Sequence, residues 1–211
     1  MSPSPRTRLA MAAGRLVATA SRLAGRGRGQ QVGGRVMLRL APGLLRDLAW
    51  PMAATLVSAT NGKSTTTRFI AEALRTSGPT AHNATGANMG PGVATALAAH
   101  PGARYAALEV DEAHLPYVAR QTRAGVLVLM NLSRDQLDRG AEVTLLAQRW
   151  HGLLEGADWP VTVVANADDP LVAWAAGPAG RIVWAAGGQW WREDSALCPV
   201  CAHPLARGVA A

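Results

Sequence analysis

One stretch constrains this chain more than any other: Val57-Ser58-Ala59-Thr60-Asn61-Gly62-Lys63-Ser64-Thr65-Thr66-Thr67. The apolar run Ala53 to Val57 leads into it, and an amphipathic pattern from Thr66 to Leu74 leaves it. A strand, a small-residue loop and a helix therefore follow one another. That arrangement holds phosphate: N–H groups at a helix N-terminus point at an anion, Gly62 lets the backbone come close, and Lys63 adds a mobile positive charge. Lys63 is the only lysine among 21 basic side chains, the rest being arginine, so the chain has a specific use for this ammonium. Ser64 stands where a hydroxyl ligates the Mg²⁺ that accompanies a nucleoside triphosphate. The competing account is an ordinary glycine turn capped by Ser and Thr hydroxyls. The loop also departs from pattern, since the standard form has glycine at the place of Val57 and a shorter variant has it at the place of Ala59. Were the backbone left-handed at Ala59, alanine there would cost about 1 kcal/mol.

The 211 residues can hold one sizeable α/β core. No run of eighteen apolar residues exists to span a membrane as a helix. The formal charge of +7 resembles a nucleic-acid signal until it is located. Residues 1–50 carry nine arginines against Asp47 alone, and the remainder carries 12 basic and 13 acidic side chains. The body is close to neutral, and no nucleic-acid partner is expected. The two cysteines, Cys198 and Cys201, form one Cys-x-x-Cys pair, which is not the framework of a secreted disulfide scaffold. A cytoplasmic location is the default.

Residues 1–50 read as an arginine-rich helical segment. Leu9, Ala12, Ala13, Leu16, Ala20 and Leu23 recur at helical spacing with Arg8, Arg15 and Arg22 among them. Such a helix lies on the domain, or contacts anionic lipid or a partner. Gly25 to Gly34 reads as a flexible linker and Val36 to Leu48 as a second helix. Buried strands are expected at Tyr105–Val110, Gly125–Met130, Val161–Ala165 and Arg181–Ala185, with crossover helices between most of them. The fold class is therefore α/β, a mostly parallel sheet with helices on both faces over residues 51–192 and ligands at the carboxyl ends of the strands. Residues that bear chemistry gather at those ends: Asn88 in Gly86-Ala87-Asn88-Met89-Gly90, then Glu109, Asp111 and Glu112, then Asn131 to Arg139, then Asn166 with Asp168 and Asp169. Three carboxylates within four residues repel one another unless a cation such as Mg²⁺ offsets them. Asp168 and Asp169 could equally cap a helix, and Arg134, Asp135, Asp138 and Arg139 could be surface ion pairs. His82, His114 and His151 lack ligand spacing and read as structural or solvent-facing. Trp190 and Trp191 suggest an apolar patch.

Taken together, Ala59 to Thr66, Gly86 to Met89, Glu109 to Glu112, Arg134-Asp135-Gln136-Leu137-Asp138-Arg139 and Asn166 to Pro170 resemble the Mur ligase family. The similarity is greatest to its amidotransferase branch, the ligase-like subunit of lipid II isoglutaminyl synthase. The resemblance implies a Mur ligase central domain that binds ATP with Mg²⁺. It implies activation of the α-carboxyl of D-glutamate in the lipid II stem peptide as an acyl phosphate, and a heterodimer with the glutaminase GatD, which delivers ammonia to give D-isoglutamine. It places Thr60, Asn61, Gly62, Lys63, Ser64 and Thr65 around the phosphates, with Lys63 and Glu109 catalytic and Ser64 and Glu109 on Mg²⁺. Asn88 would lie near the γ-phosphate and Asn166 on the adenine side. Gln136 takes the place of a histidine common in related synthetases, which favours the amidotransferase branch. A cytoplasmic site at the inner face of the plasma membrane, with at most peripheral membrane contact, follows from lipid II as substrate.

Cys198-Pro199-Val200-Cys201 resembles the first knuckle of a zinc ribbon inserted in this family, so residues 193–211 read as its first half and Cys198 and Cys201 as half a Zn²⁺ site. Four ligands close such a site. The sequence reaches Ala211 before a second pair, and the family's C-terminal domain does not follow. The expectation is an N-terminal portion without complete amidation activity alone. The alternative is a catalytically silent chain that only binds a partner or a membrane-proximal surface.

Overall fold

The computed structural model describes residues 3–25, 29–83, 87–133, 140–188, 197–201 and 203–206. In chain order its elements are α1 (Pro5–Leu23), α2 (Gln30–Leu40), α3 (Leu44–Ala49), β1 (Ala53–Ser58), α4 (Lys63–Arg75), β2 (Thr80–His82), α5 (Gly90–Ala99), β3 (Tyr105–Glu109), α6 (Leu115–Thr122), β4 (Val126–Leu129), α7 (Gly140–Glu155), β5 (Thr162–Asn166), α8 (Pro170–Ala176) and β6 (Ile182–Ala185). The six strands form one sheet in the order β2-β3-β1-β4-β5-β6, and every pairing is parallel. All carboxyl ends therefore share one edge, with β1 central between β3 and β4.

Right-handed crossovers fix the layers. The step from β1 to β2 runs toward one edge and every later step runs toward the other, so α4 lies on one face and α5 to α8 on the opposite one. The packing agrees: α4 rests on β1, β2 and β3, whereas α5, α6, α7 and α8 form a continuous layer joined by α3. Between the layers lie Leu56, Leu108, Leu127, Leu129 and Val163 from the strands and Val93, Leu97, Leu115, Val118 and Trp150 from the helices, all buried. Each such side chain contributes about 1.5–3 kcal/mol by leaving water. Over β4 and β5 the face that carries α4 is less covered: Val126, Val128 and Val164 stay half-exposed while Leu127, Leu129, Val163 and Ala165 are buried on the helical side.

The N-terminal helices share this core. Ala10, Met11, Met37, Leu44, Leu45 and Leu48 belong to the same buried cluster as the sheet. Here the structure departs from expectation twice. The linker expected over Gly25 to Gly34 is shorter, because α2 begins at Gln30 and takes in Gly33 and Gly34. Those glycines serve close packing. A Cβ on Gly33 would stand 2.7 Å from the Gly14 carbonyl oxygen, and one on Gly34 would stand 1.8 Å from that of Pro91 in α5. The single helix expected over Val36 to Leu48 is two, α2 and α3, because Pro42 lacks an N–H and its ring blocks a continuous helix. Leu44 N–H instead donates to the Ala41 carbonyl. The short β2 adds a strand not anticipated from sequence.

Candidate functional site

The expected strand, loop and helix are present, with α4 starting three residues earlier than its apolar pattern suggested. Gly62 precedes α4 with φ of 85° and makes no side-chain cap. The first helical N–H groups at Lys63, Ser64 and Thr65 thus open onto the loop without a capping hydroxyl, which removes the account of the stretch as a simple capped turn. A side chain at Gly62 would be strained and would meet Met130 Cε at 3.2 Å. Ala59 is fully buried, and Arg123 is the only non-glycine residue with positive φ among the described residues. Alanine therefore carries no conformational penalty at position 59.

The loop is braced from the segment after β4. Thr60 N–H donates to the Asn131 carbonyl at 3.0 Å. The Asn131 side chain accepts from Asn61 N–H at 2.9 Å and donates to the Asn61 carbonyl at 2.9 Å. Ser133 N–H donates to Thr60 Oγ1 at 3.1 Å, and Asn61 Nδ2 donates to Ser133 Oγ at 3.2 Å. Behind that segment, Asp169 accepts from Leu132 N–H at 2.8 Å while capping α8 through Leu171 and Val172 N–H. Asp169 is thus the helix cap that sequence allowed, and Asp168 is not. Asp168 Oδ2 instead accepts from Gly187 and Gly188 N–H, at 2.7 and 2.8 Å. The Ser58 hydroxyl, buried at the end of β1, has no partner among the described residues.

Lys63 Nζ donates to the Thr60 carbonyl at 3.1 Å and lies 3.7 Å from Glu112 Oε2. Burial pushes the Glu112 carboxyl above its ordinary range, and Asp111 adds to the rise. Its own backbone N–H, Lys63 and the Thr60 hydroxyl oppose it. The three carboxylates expected to repel one another diverge. Glu109 is 4% exposed at the end of β3, Glu112 faces Lys63, and Asp111 accepts from Ala113 N–H at 3.0 Å. The Lys63 ammonium offsets the charge of Glu112, while Asp111 still repels it.

Glu109 is held from two sides. Asn83 accepts from Glu109 N–H at 2.8 Å and donates to the Glu109 carbonyl at 2.7 Å. Asn88 Nδ2 lies 3.3 Å from Glu109 Oε1. Ser64 and Glu109 line one cleft of about 410 Å³, together with Thr65, Arg68, His82 and Asn83. His82 is half-buried, and burial, followed by Arg75, lowers its pKa. On the other side of the loop a cleft of about 360 Å³ is lined by Val128, Met130, Asn131, Val164, Asn166 and Gly187. Asn166 Oδ1 accepts from Asp168 N–H at 3.0 Å. Lys63, Ser64, Asn88, Glu109 and Asn166 therefore all lie along the sheet's carboxyl edge. An uncapped helix terminus, a hydroxyl and a nearly buried carboxylate beside it suit a triphosphate and a hard cation. Asn83 is a functional candidate that sequence reasoning missed, and Asn131, placed at a strand end from sequence, gains its role as the loop's clamp only here. Gly86, Arg134, Asp135, Gln136, Leu137, Asp138, Arg139, Trp190 and Trp191 lie outside the described residues.

The other two histidines are structural, as expected, or lie at a helix start. His151 stacks on Trp174 with ring centroids 4.3 Å apart, and His114 N–H donates to the Asp111 carbonyl ahead of α6. The Cys-x-x-Cys turn is formed: Cys198 N–H donates to the His203 carbonyl at 2.8 Å, and Leu197 bridges Pro204. Hydrogen bonds from the Cys201 and Val200 backbone lower the Cys198 thiol pKa. No group of three or more His, Cys, Asp or Glu side chains able to hold a metal occurs among the described residues. Two thiols do not fill a tetrahedral site, so zinc at Cys198 and Cys201 is not supported.

A doubly wound parallel sheet with a glycine-lysine-serine loop after its central strand defines the class: an α/β domain with its loop at the carboxyl edge. Residues 57–188 match the Mur ligase middle domain, and the chain belongs to the Mur ligase family. It is 31% identical over 163 residues to the lipid II isoglutaminyl synthase (glutamine-hydrolyzing) subunit MurT of Staphylococcus aureus (strain COL), covering 75% of this chain and 37% of that protein. It is 33% identical over 150 residues to the MurT subunit of Streptococcus pneumoniae (strain ATCC BAA-255 / R6), covering 69% of this chain and 33% of that protein. The chain thus spans little more than a third of the length of these relatives. Among solved structures, MurF ligase from Thermotoga maritima in complex with ADP superposes with a TM-score of 0.59 at 14% identity, over 73% of this chain and 36% of that one. MurF from Acinetobacter baumannii gives 0.60 at 16% identity, over 73% and 35%. These structures establish the shared fold. Among the described residues no helix is long and apolar enough to cross a membrane.

Proposed function

We propose that this chain is the ATP-binding part of a carbon-nitrogen ligase that amidates the D-glutamate of the lipid II stem peptide, working with a glutaminase subunit of the GatD kind. The observation that carries this is the uncapped start of α4, with Lys63 and Ser64 beside the nearly buried Glu109. The MurT relatives support the substrate and the amide chemistry. In this assignment Thr60, Asn61, Gly62 and Thr65 cradle the phosphates, with Lys63 on the transferring group. Ser64 and Glu109 hold Mg²⁺, Asn88 orients Glu109 toward the γ-phosphate, and Asn166 borders the nucleobase cleft. ATP with Mg²⁺ supplies the phosphoryl group that makes the substrate carboxyl reactive. The residues contribute position and offsetting charge, with little covalent participation. In this reading Lys63 exchanges its contacts to Thr60 and Glu112 for phosphate oxygens.

The test is titration calorimetry of residues 1–211 with Mg²⁺ and ATP, beside Lys63→Ala. Binding in the first protein, weakened by about 1.5–3 kcal/mol in the second, is expected for a charged contact made in a partly desolvated site. Absence of binding in both would overturn the assignment and favour a silent, partner-binding chain. Amidation is then assayed with lipid II, ATP and ammonia. Product formed with Lys63 and lost in Lys63→Ala would support the ligase assignment.

A further inference from the structure

Helix α1 turns two faces in opposite directions. Thr7, Ala10, Met11 and Gly14 are buried against the body of the protein. On the far side Leu9, Leu16 and Leu23 are 70%, 72% and 85% exposed. They stand seven residues apart, so they drift by only about 40° over the whole stripe. The residue before each is an exposed arginine, Arg8, Arg15 or Arg22, set about 100° round the helix. Single exposed leucines need no account. Three in register beside a parallel row of guanidinium groups form one amphipathic surface. The only acid within residues 1–50, Asp47, is held by the Thr7 and Ser4 hydroxyls, so one carboxylate stands against nine arginines in this segment.

The charge pattern selects the occupant. In a coiled coil with a second copy, the leucines would take one core position of each heptad, and Ala12 and Thr19 would take the other, where long apolar knobs are required. The flanking position would be arginine at every turn, which faces alanine in a parallel pair and arginine in an antiparallel one. Neither is complementary. An acidic protein groove would still need knobs of unequal length to seat, and the stripe supplies one row of leucine over alanine. A lipid surface asks only for a flat apolar row with cations at its edge that reach up to phosphate.

We propose that α1 is an interfacial helix. It lays Leu9, Leu16 and Leu23 into the headgroup region of an anionic phospholipid surface, with Arg8 and Arg22 on lipid phosphates. Arg15 adds charge while tied to the Ala98 carbonyl at 2.5 Å. Because the buried face of α1 packs on α2, the helix stays attached to the domain while its outer face enters the lipid.

Co-sedimentation of residues 1–211 with vesicles of equal phosphatidylglycerol and phosphatidylcholine, and with pure phosphatidylcholine, tests this. Partition at least about tenfold stronger onto the anionic vesicles is expected, falling at least about tenfold in the combined Leu9→Ser, Leu16→Ser, Leu23→Ser variant and severalfold in Arg8→Gln with Arg22→Gln. Circular dichroism checks folding. Leu16→Glu, a single change at an exposed site, serves if the triple variant does not fold, and is expected to weaken partition in the same direction. Unchanged partition of the leucine variants would mean adsorption by charge alone and would overturn the proposal. So would equal binding to both vesicles, or no binding. Leucine-dependent self-association in sedimentation velocity without vesicle binding would assign the stripe to a second copy instead.

Discussion

Lys63 and Glu112 form a pair whose members answer to different surroundings. The ammonium is satisfied by a backbone carbonyl and a carboxylate, while burial makes ionisation of that carboxylate unfavourable. A carboxyl whose folded pKa is raised contributes stability that is complete below its ordinary value of 4.5 and lost as pH rises through the raised value. The wild-type melting temperature is therefore expected to decline across that window relative to Glu112→Gln, which lacks this titration. Melting curves of both proteins from below pH 4.5 upward check this, and parallel profiles would refute it. Asn131 acts on the loop. Its amide exchanges two hydrogen bonds with the Asn61 backbone, so Asn131→Ala is expected to loosen the phosphate cradle and weaken ATP binding by about 1–2 kcal/mol. Stability should change less, since Asn61 is exposed and water replaces the lost partners. Calorimetry beside a thermal melt separates the two effects. Asn83 was not legible in the sequence, and Asn131 was legible only as a strand-end residue without a role, because a lone asparagine after a strand signals a turn as readily as a clamp. Lys63, Ser64 and Glu109 were legible because the spacing around a phosphate loop is short-range. The doubt over Ala59 was resolvable only from its backbone conformation.

Helices and strands were read correctly wherever one element buries one continuous apolar run. The runs at β1, β3, β4 and β5 are of that kind, each close to its expected place; β6 forms where a buried strand was expected, but as the edge strand it leaves Val183 and Trp184 exposed. β2 has three residues, Thr80, Ala81 and His82, too few to display a period. α2 was misread because glycine was taken as freedom, when Gly33 and Gly34 admit the backbones of α1 and α5. Gly34→Ala tests that account. A methyl group 1.8 Å from the Pro91 oxygen forces helices apart, and a loss of about 3 kcal/mol or more is expected, at the upper end of overpacking costs because backbone is the obstacle. Urea unfolding measures it, and a change below about 0.5 kcal/mol, the range of ordinary surface substitutions, would refute it.

At the scale of the molecule, the parallel sheet sets all its strand ends along one edge, and the single face shared by α5 to α8 anchors the N-terminal helices, with α2 packed against α5. The family and the architecture were visible because several short motifs occur in a fixed order over most of the chain, and order is a stronger constraint than any one match. What stayed hidden was the way the first fifty residues join the core, since beside Met11, Met37 and the α3 leucines the close approach is made at glycines, which give no periodic signal. The contact among Gly14, Gly33, Gly34 and Pro91 is one of main chain against main chain. Such a junction has no side chain through which substitution could adjust it by degrees. Descendants of this chain would keep the hairpin's seating almost unaltered or abandon it in a single step, while the helix surfaces around it remain free to diversify.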